Sequence, residues 1–234
     1  MPKIIIVIPA FNEQDNIKNV ILSIKNFRRS LDCVVINDAS TDNTQQIASS
    51  VENAYVIELP NNLGIGGAVQ TGFKFAIEND YDFAVQFDGD GQHLAGELDK
   101  ILSPVIDGTC DVCIGSRFID NNTDNFRSTA TRRFGILFFQ QMNKLLIKQN
   151  ISDSTSGFRA YNKKAIHFLS KHYPTDYPEP ESIILLGKNN FTIKEVPVLM
   201  QERQNGQSSI SGLKPIYYML KVSLAMWMAH IRKY

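Results

Sequence analysis

The chain has 234 residues, 43% of them apolar, and its 24 Lys and Arg offset 24 Asp and Glu. That length and apolar content suit one large domain. A neutral chain has no overall basic field to hold nucleic acid, so no nucleic-acid partner is expected and any anionic ligand must be held by local donors. Three Cys, an odd number, argue against a disulfide framework.

The apolar run at residues 4–8 is too short for a secretory h-region, so the expected residence is cytoplasmic. Residues 3–9 are nearly all apolar, the pattern of a strand covered on both faces. Ile17, Val20, Ile21, Ile24 and Phe27 then recur at helical spacing. Cys33-Val34-Val35-Ile36 predicts a second strand ending in Asn37-Asp38-Ala39-Ser40. A short helix over 42–51 follows, with Ser40, Thr41 or Asp42 as its cap. Residues 54–59 predict a third strand, and 66–77 a helix with Val69, Phe73, Ala76 and Ile77 on one face. A fourth strand at 82–87 precedes a helix carrying Leu94, Leu98, Ile101, Leu102 and Val105, then a strand at 111–114. Cys110 and Cys113, read on that strand, point to opposite faces, which makes them two core thiols rather than a chelating pair.

Alternation of this kind predicts a parallel α/β sheet with helices on both faces. Ligands of such sheets bind beyond the carboxyl ends of the strands. Phe11-Asn12-Glu13, Asn37-Asp38, Asn61-Asn62 and the stretch from Asp88 to His93 all fall there. Beyond Arg117, residues 120–125 read as a turn-rich polar loop. A helix is expected over 131–147, strands at 156–161 and 191–204, and a short helix at 181–187. Within 215–231, Ile216, Met219, Leu220, Leu224, Trp227, Met228 and Ile231 follow helical spacing. The chain thus divides into a main domain, 1–212, and a C-terminal amphipathic helix, 213–234. About 17 residues is the bottom of the membrane-spanning range. Arg232, Lys233 and the pair Tyr217-Tyr218 suit a helix lying on the inner leaflet, the alternative being packing on the core or on a partner subunit.

The chemistry concentrates in Phe87-Asp88-Gly89-Asp90-Gly91-Gln92-His93. Two carboxylates one residue apart on an extended stretch point the same way. Together they can hold a hard cation such as Mg²⁺, which favours one or two carboxylates plus substrate phosphates. His93 is either a third ligand or a capping histidine. Asn61-Asn62-Leu63-Gly64-Ile65-Gly66-Gly67-Ala68 joins a strand to a helix N-terminus, where backbone N–H groups can meet an anion; close helix–sheet packing explains the same glycines. Val69 departs from G-x-G-x-x-G, which disfavours a dinucleotide fold. Asp38 can accept from a base N–H or a ribose hydroxyl, or cap a helix. Arg117, Arg132, Arg133, Arg159 and Arg203 are scattered in sequence and could converge on a phosphate.

Four ordered motifs resemble family 2 glycosyltransferases of GT-A fold: Val7-Ile8-Pro9-Ala10-Phe11-Asn12-Glu13, Val35-Ile36-Asn37-Asp38-Ala39-Ser40-Thr41-Asp42, Asn62-Leu63-Gly64-Ile65-Gly66-Gly67-Ala68 and Phe87-Asp88-Gly89-Asp90. Ile114-Gly115-Ser116-Arg117-Phe118 and Ser154-Thr155-Ser156-Gly157-Phe158-Arg159-Ala160-Tyr161 resemble the dolichyl- or polyprenyl-phosphate sugar synthase branch. The resemblance implies a GT-A-type, mostly parallel central sheet with helices on both faces, plus the C-terminal amphipathic helix. It also implies a nucleoside-diphosphate sugar donor, Mg²⁺ or Mn²⁺, and inversion at the anomeric carbon. By position, Pro9, Phe11, Glu13 and Asp38 would line the nucleotide, with Gly64 and Gly67 nearby. Asp88 would face the donor sugar and ribose, and Asp90 with Gln92 would ligate the metal. Asn37 stands where the family often has Asp.

The acceptor decides the rest. A hydroxyl needs a general base, for which Asp153, Glu179 and Glu181 are the candidates. A phosphate monoester, with a second pKa of about 6, needs cationic donors instead, for which Arg117, Arg132, Arg159 and Arg203 are the candidates. The resulting expectation is a metal-dependent transferase acting on a lipid-linked acceptor, either polyprenyl phosphate or a lipid-linked saccharide. It would serve cell-surface polysaccharide synthesis as a peripheral protein on the inner membrane face, with a homo-oligomer or a membrane-protein partner possible. The alternatives are a nucleotidyltransferase, opposed by the lack of a basic glycine-rich N-terminal loop, and a non-catalytic sugar-nucleotide-binding partner, opposed by the Asp88/Asp90 pair.

Overall fold

Strand β1 (Ile4–Ala10) is buried along its whole length. Its side chains alternate between two cores: Ile4, Ile6 and Ile8 enter one, Ile5 and Val7 the other. That is why the sequence shows an unbroken apolar run instead of alternation. Each such aliphatic side chain stabilises the fold by about 1.5–3 kcal/mol. The computed structural model describes residues 2–119, 130–201 and 214–232, without the side chains of 130–134, 214–216 and 218.

β1 pairs in parallel with β2 (Asp32–Asn37) and β4 (Phe83–Gln86), and β2 with β3 (Ala54–Glu58). β6 (Arg159–Asn162) lies antiparallel between β4 and β5 (Val112–Ser116), and β7 (Ile193–Pro197) closes the far edge parallel to β5. The order is β3-β2-β1-β4-β6-β5-β7. Helices α1 (Ile17–Phe27), α2 (Thr44–Ser49) and α4 (Leu98–Ile106) cover one face through Ile17, Ile21, Ala48, Leu98 and Ile101. On the other face α3 (Gly64–Glu78), α6 (Lys163–His172) and α7 (Pro178–Lys188) bury Val69, Phe73, Ile166 and Leu185. α3 lies so close to the sheet that a Cβ at Gly72 would sit 2.1 Å from Val7 Cγ1. α5 (Ala130–Ile147) and α8 (Lys214–Ile231) form a third, smaller core with α7 through Phe139, Ile184, Val222 and Met226.

The expected mostly parallel sheet is present, with three differences in detail. β6 runs antiparallel, and α6 starts at the next residue with no turn residue between them; the side chain of Asn162 caps it by accepting from Ala165 N–H at 2.9 Å. β4 ends at Gln86, so Asp88 and Asp90 leave the sheet in a turn in which Gly91 takes a φ of +79°. The extended backbone expected for them is therefore corrected. Cys110 lies ahead of β5, where alternation does not apply. It shares a core with Cys113, and both thiols are unbridged.

Candidate active site

The site forms where β1, β2 and β4 end. The loops after β1 and β2 are tied together: Asn12 N–H donates to Ser40 Oγ at 2.9 Å, Thr41 N–H donates to Asn12 Oδ1 at 2.9 Å, and Glu13 N–H donates to Thr44 Oγ1 at 2.8 Å. Asp38 is buried at the end of β2, and its Oδ1 accepts from Leu63 N–H at 2.7 Å. It thereby fixes the loop into α3 rather than capping α2. The result is a cleft of about 410 Å³ lined by Pro9, Phe11, Glu13, Asp38, Asp88 and Asp90, with Ile65 and Ala68 from α3. This size is ordinary for a small-molecule site.

Gly64 and Gly67 do not line that cleft. Gly64 starts α3 in the left-handed region at φ +73°, and a Cβ on Gly67 would lie 2.4 Å from Leu63 Cβ. Gly66 meets the backbone of Pro174 and Thr175 in the same way. Turn and packing needs account for these glycines, in place of the phosphate contact.

Asp88 and Asp90 both face the cleft. Asp90 Oδ1 accepts from Gln92 N–H at 3.0 Å. Gln92 itself lines neither the main cleft nor a neighbouring one of about 270 Å³; its carbonyl accepts from Gln201 N–H at 2.9 Å. Burial, and then the charge of Asp90, push the Asp88 carboxyl up to about 7. Asp88 Oδ1 and Gln86 Nε2 are buried without a hydrogen bond of good geometry. Gly157 is the floor beneath them, where a Cβ would stand 2.9 Å from Asp88 Oδ2 and from Gln86 Nε2.

His93 is not a third metal ligand in this arrangement. Its Nδ1 accepts from Asp88 N–H at 3.0 Å and its Nε2 lies 3.6 Å from Asp88 Oδ2, so both nitrogens brace Asp88. Its ring stacks on Phe158 at 4.8 Å, and burial pushes its pKa down to about 4, which keeps it neutral. Among the described residues, no group of three or more His, Cys, Asp or Glu gathers into a metal cage.

Several candidates are committed to one another. Asp153 is buried and takes a bidentate pair from Arg117, with Nε and Nη2 each at 2.8 Å. Burial raises its pKa, but the Arg117 hydrogen bonds and charge outweigh this and hold the carboxyl below its usual range. An acid held ionised in this way is a poor proton acceptor, so the general-base expectation for Asp153 is corrected. Arg159 is wholly buried and donates to Ser154 O, Ser156 O, Glu179 O and Ser182 Oγ, which removes it from any phosphate clamp. Glu181 Oε1 accepts from Tyr177 N–H at 3.0 Å and caps α7. Glu179 remains near the site: burial raises its pKa, Arg159 lowers it and Asp88 raises it further. Arg203 and the 120–125 loop lie outside the described residues, as do the side chains of Arg132 and Arg133. Sequence reasoning missed Gln86, Gly157 and Tyr173, whose hydroxyl reaches Gln86 Oε1 at 3.1 Å across 87 positions; no local pattern announces such a contact.

A cleft with paired carboxylates beyond the ends of parallel strands stands where an open α/β sheet binds its ligand. A solved structure of glucosyl-3-phosphoglycerate synthase from Mycobacterium tuberculosis, in complex with Mn²⁺, UDP and phosphoglyceric acid, superposes with a TM-score of 0.68 at 17% identity, covering 98% of this chain and 78% of that one. The fold is therefore of GT-A type. The model of Glycosyl transferase family 2 matches residues 5–169, and the chain belongs to that family: it is a glycosyltransferase. It is 32% identical over 243 aligned positions to the UDP-N-acetylglucosamine--dolichyl-phosphate N-acetylglucosaminyltransferase of Methanococcus voltae, covering 94% of this chain and 96% of the relative. It is 27% identical to the polyprenol monophosphomannose synthase of Mycolicibacterium smegmatis, covering 94% and 85%.

Proposed function

We propose that this glycosyltransferase takes its sugar from a nucleoside-diphosphate donor and passes it, with inversion at the anomeric carbon, to the phosphate of a polyprenyl-type lipid. The observation that carries the reading is the single cleft into which Phe11, Asp38, Asp88 and Asp90 open together. The names of both relatives, which join dolichyl phosphate or polyprenol to two different sugars, support the lipid-phosphate acceptor. Commitment of Asp153 to Arg117 and of Glu181 to Tyr177 removes two of the three base candidates, leaving Glu179, which favours an acceptor that needs no base.

The donor set fits a divalent cation. The charge of Asp90 bears on Asp88, and no third acidic or histidine ligand joins them among the described residues. Mg²⁺ habitually pairs one or two protein carboxylates with phosphate oxygens and water, and Mn²⁺ takes similar oxygen donors. Asp90 would hold the ion with Asp88 beside it; once bound, it supplies positive charge to the leaving diphosphate.

The chain's own residues do the positioning. The exposed ring of Phe11 offers a flat apolar face to a base. Asp38, oriented by Leu63, offers carboxylate oxygen to base or ribose donors. His93 and Gly157 fix where the Asp88 carboxyl points. Arg117, clamped by Asp153, places a fixed positive charge in the field of Asp88, which suits an incoming phosphate dianion. Placement for in-line attack then does much of the work.

The test is a transfer assay with purified chain, short polyprenyl phosphate and a panel of UDP- and GDP-sugars, with EDTA and then Mn²⁺ or Mg²⁺ restored. A lipid-phosphate glycoside of inverted configuration, lost in EDTA and recovered with metal, is expected. Transfer only to a saccharide hydroxyl, or full activity in EDTA, would overturn the reading.

A further inference from the structure

β4 ends in an amide inside the core. Gln86 pairs with Val7 on β1 and Arg159 on β6, and it is wholly buried. Burying a carboxamide is unfavourable unless its donors and its acceptor are matched. Here the acceptor is matched, since the Tyr173 hydroxyl donates to Gln86 Oε1 at 3.1 Å. Gln86 Nε2 is buried without a hydrogen bond of good geometry, and so is Asp88 Oδ1. This stranded donor and this stranded acceptor border one small space, kept open by Gly157. A Cβ there would stand 2.9 Å from Gln86 Nε2 and 3.1 Å from Asp88 Oδ1.

The neighbours decide which way the amide points. An ionised carboxylate only accepts, whereas a phenol can donate or accept. The N–H end of Gln86 therefore belongs beside Asp88 and its carbonyl end beside Tyr173. Tyr173 is itself held in place: its ring meets Phe73 edge-on at 5.4 Å, and Phe73 meets Tyr161 in the same manner at 5.0 Å. His93 serves the other half of Asp88. Its Nδ1 accepts the Asp88 backbone N–H, and its Nε2 lies 3.6 Å from Asp88 Oδ2, which leaves Oδ1 for Gln86. The amide carries a second N–H, and Glu179 is the next acceptor at hand. The Gln86 side chain favours the ionised form of Asp88 and of Glu179 alike.

We propose that Gln86, oriented by Tyr173, is a positioning residue for glycosyl transfer: its amide closes on Asp88 Oδ1 when metal and donor fill the cleft, and so sets the direction of the Asp88 carboxylate. Hydrogen bonds that are long in an unliganded active site commonly tighten in the loaded one. Closing this gap matches two stranded polar atoms at once. Asp88 then meets the sugar in one orientation, and a contact that works through orientation governs turnover more than ground-state affinity. The inference rests on the reading of Asp88 as a donor-facing carboxylate. It does not depend on which acceptor is used.

Gln86→Met keeps the length of the side chain and removes its donors, while Tyr173→Phe removes the hydroxyl that turns the amide. The assay is nucleotide release with Mn²⁺ from the UDP- or GDP-sugar that the full chain turns over fastest. Gln86→Met should lower kcat by about tenfold to a hundredfold, with the donor KM within about twofold. Tyr173→Phe should lower kcat less. In the Gln86→Met background it should add almost nothing, the non-additivity of two residues acting through one contact. Wild-type kcat in folded Gln86→Met, or fully additive losses, would overturn the proposal. The wild-type chain supplies a measurement that needs no variant: the side-chain ¹⁵N–¹H₂ resonances of Gln86 should move downfield when Mg²⁺ and that sugar nucleotide are added together. Unmoved resonances would overturn the proposal, and would leave the proposed function standing if polyprenyl phosphate is still glycosylated. Moved resonances with transfer only to a saccharide hydroxyl would sink the acceptor reading and support this one. A chain that releases nucleotide from none of these donors would overturn both.

Discussion

Replacing Asp153 by Asn isolates the bidentate pair with Arg117. The change keeps the shape of the side chain but removes its charge, leaving a guanidinium that is mostly buried and without its counter-ion. Breaking a buried pair by deleting one partner destabilises by about 3–5 kcal/mol. Asp153 is wholly inaccessible while the Arg117 side chain is 19% exposed, so partial rehydration of Arg117 puts the loss near the lower end, about 3 kcal/mol. With a urea dependence of about 3 kcal/mol per molar for a chain this size, the unfolding midpoint should fall by about 1 M. The pH dependence has a definite sign. The folded carboxyl lies below its usual value, so the stabilisation is complete above the unfolded pKa of about 3.9 and is lost as pH falls through the lower folded value. That part of the acid limb should vanish in Asp153→Asn. The double variant Arg117→Met/Asp153→Leu should recover most of the stability, because apolar replacement of a buried pair is often neutral, yet it should not transfer sugar. Were Asp153 a general base instead, Asp153→Asn would lose activity at an unchanged urea midpoint, and the pairing argument would fail.

Gly157→Ala places a methyl 2.9 Å from the Asp88 carboxylate, and should reduce kcat about tenfold or more at modest cost in stability, read by transfer kinetics beside a melting curve. Asp90→Asn should abolish the extra thermal stabilisation that Mn²⁺ gives in the presence of the preferred sugar nucleotide, and lower transfer about a hundredfold or more; an unchanged metal-dependent shift counts against Asp90 as the ligand. Glu181→Ala removes a helix-start acceptor, costs about 0.5–2 kcal/mol by denaturation and should leave kcat/KM unchanged.

The legible part of this molecule is the part written in local periodicity. β1, β2 and α3 could be read because burial on a sheet or helix imposes a repeat on consecutive residues. The direction of β6 could not, since a four-residue strand reads the same in either sense, and α6 follows it without punctuation. The Cys110/Cys113 geometry was missed because a strand rule was extended two residues past the strand's start. For Asp38, the residue was legible as a strand-end carboxylate, but its hydrogen bond to Leu63, 25 positions away, was not.

The same division governs the site. Residue type identified nearly every group around the cleft, yet type alone made Asp153, Arg159 and Glu181 equivalent candidates for acid–base or phosphate work. Their partners decide otherwise, and those partners are tertiary: Asp153 meets Arg117 from 36 residues away, and Arg159 meets Ser182 from 23. An ionisable group saturated by a buried partner has little driving force left for a substrate, because leaving that partner would strand a charge. Setting those groups aside, the carboxylates that line or approach the cleft are Glu13, Asp38, Asp88, Asp90 and Glu179. The charge of Asp90 opposes ionisation of Asp88, and Asp88 does the same to Glu179. Carboxylates gathered where a diphosphate must bind disfavour it until a cation arrives, which makes metal and donor binding mutually dependent. Donor affinity in EDTA should therefore be weak even with an intact fold, and Mn²⁺ affinity without donor weak in the same proportion.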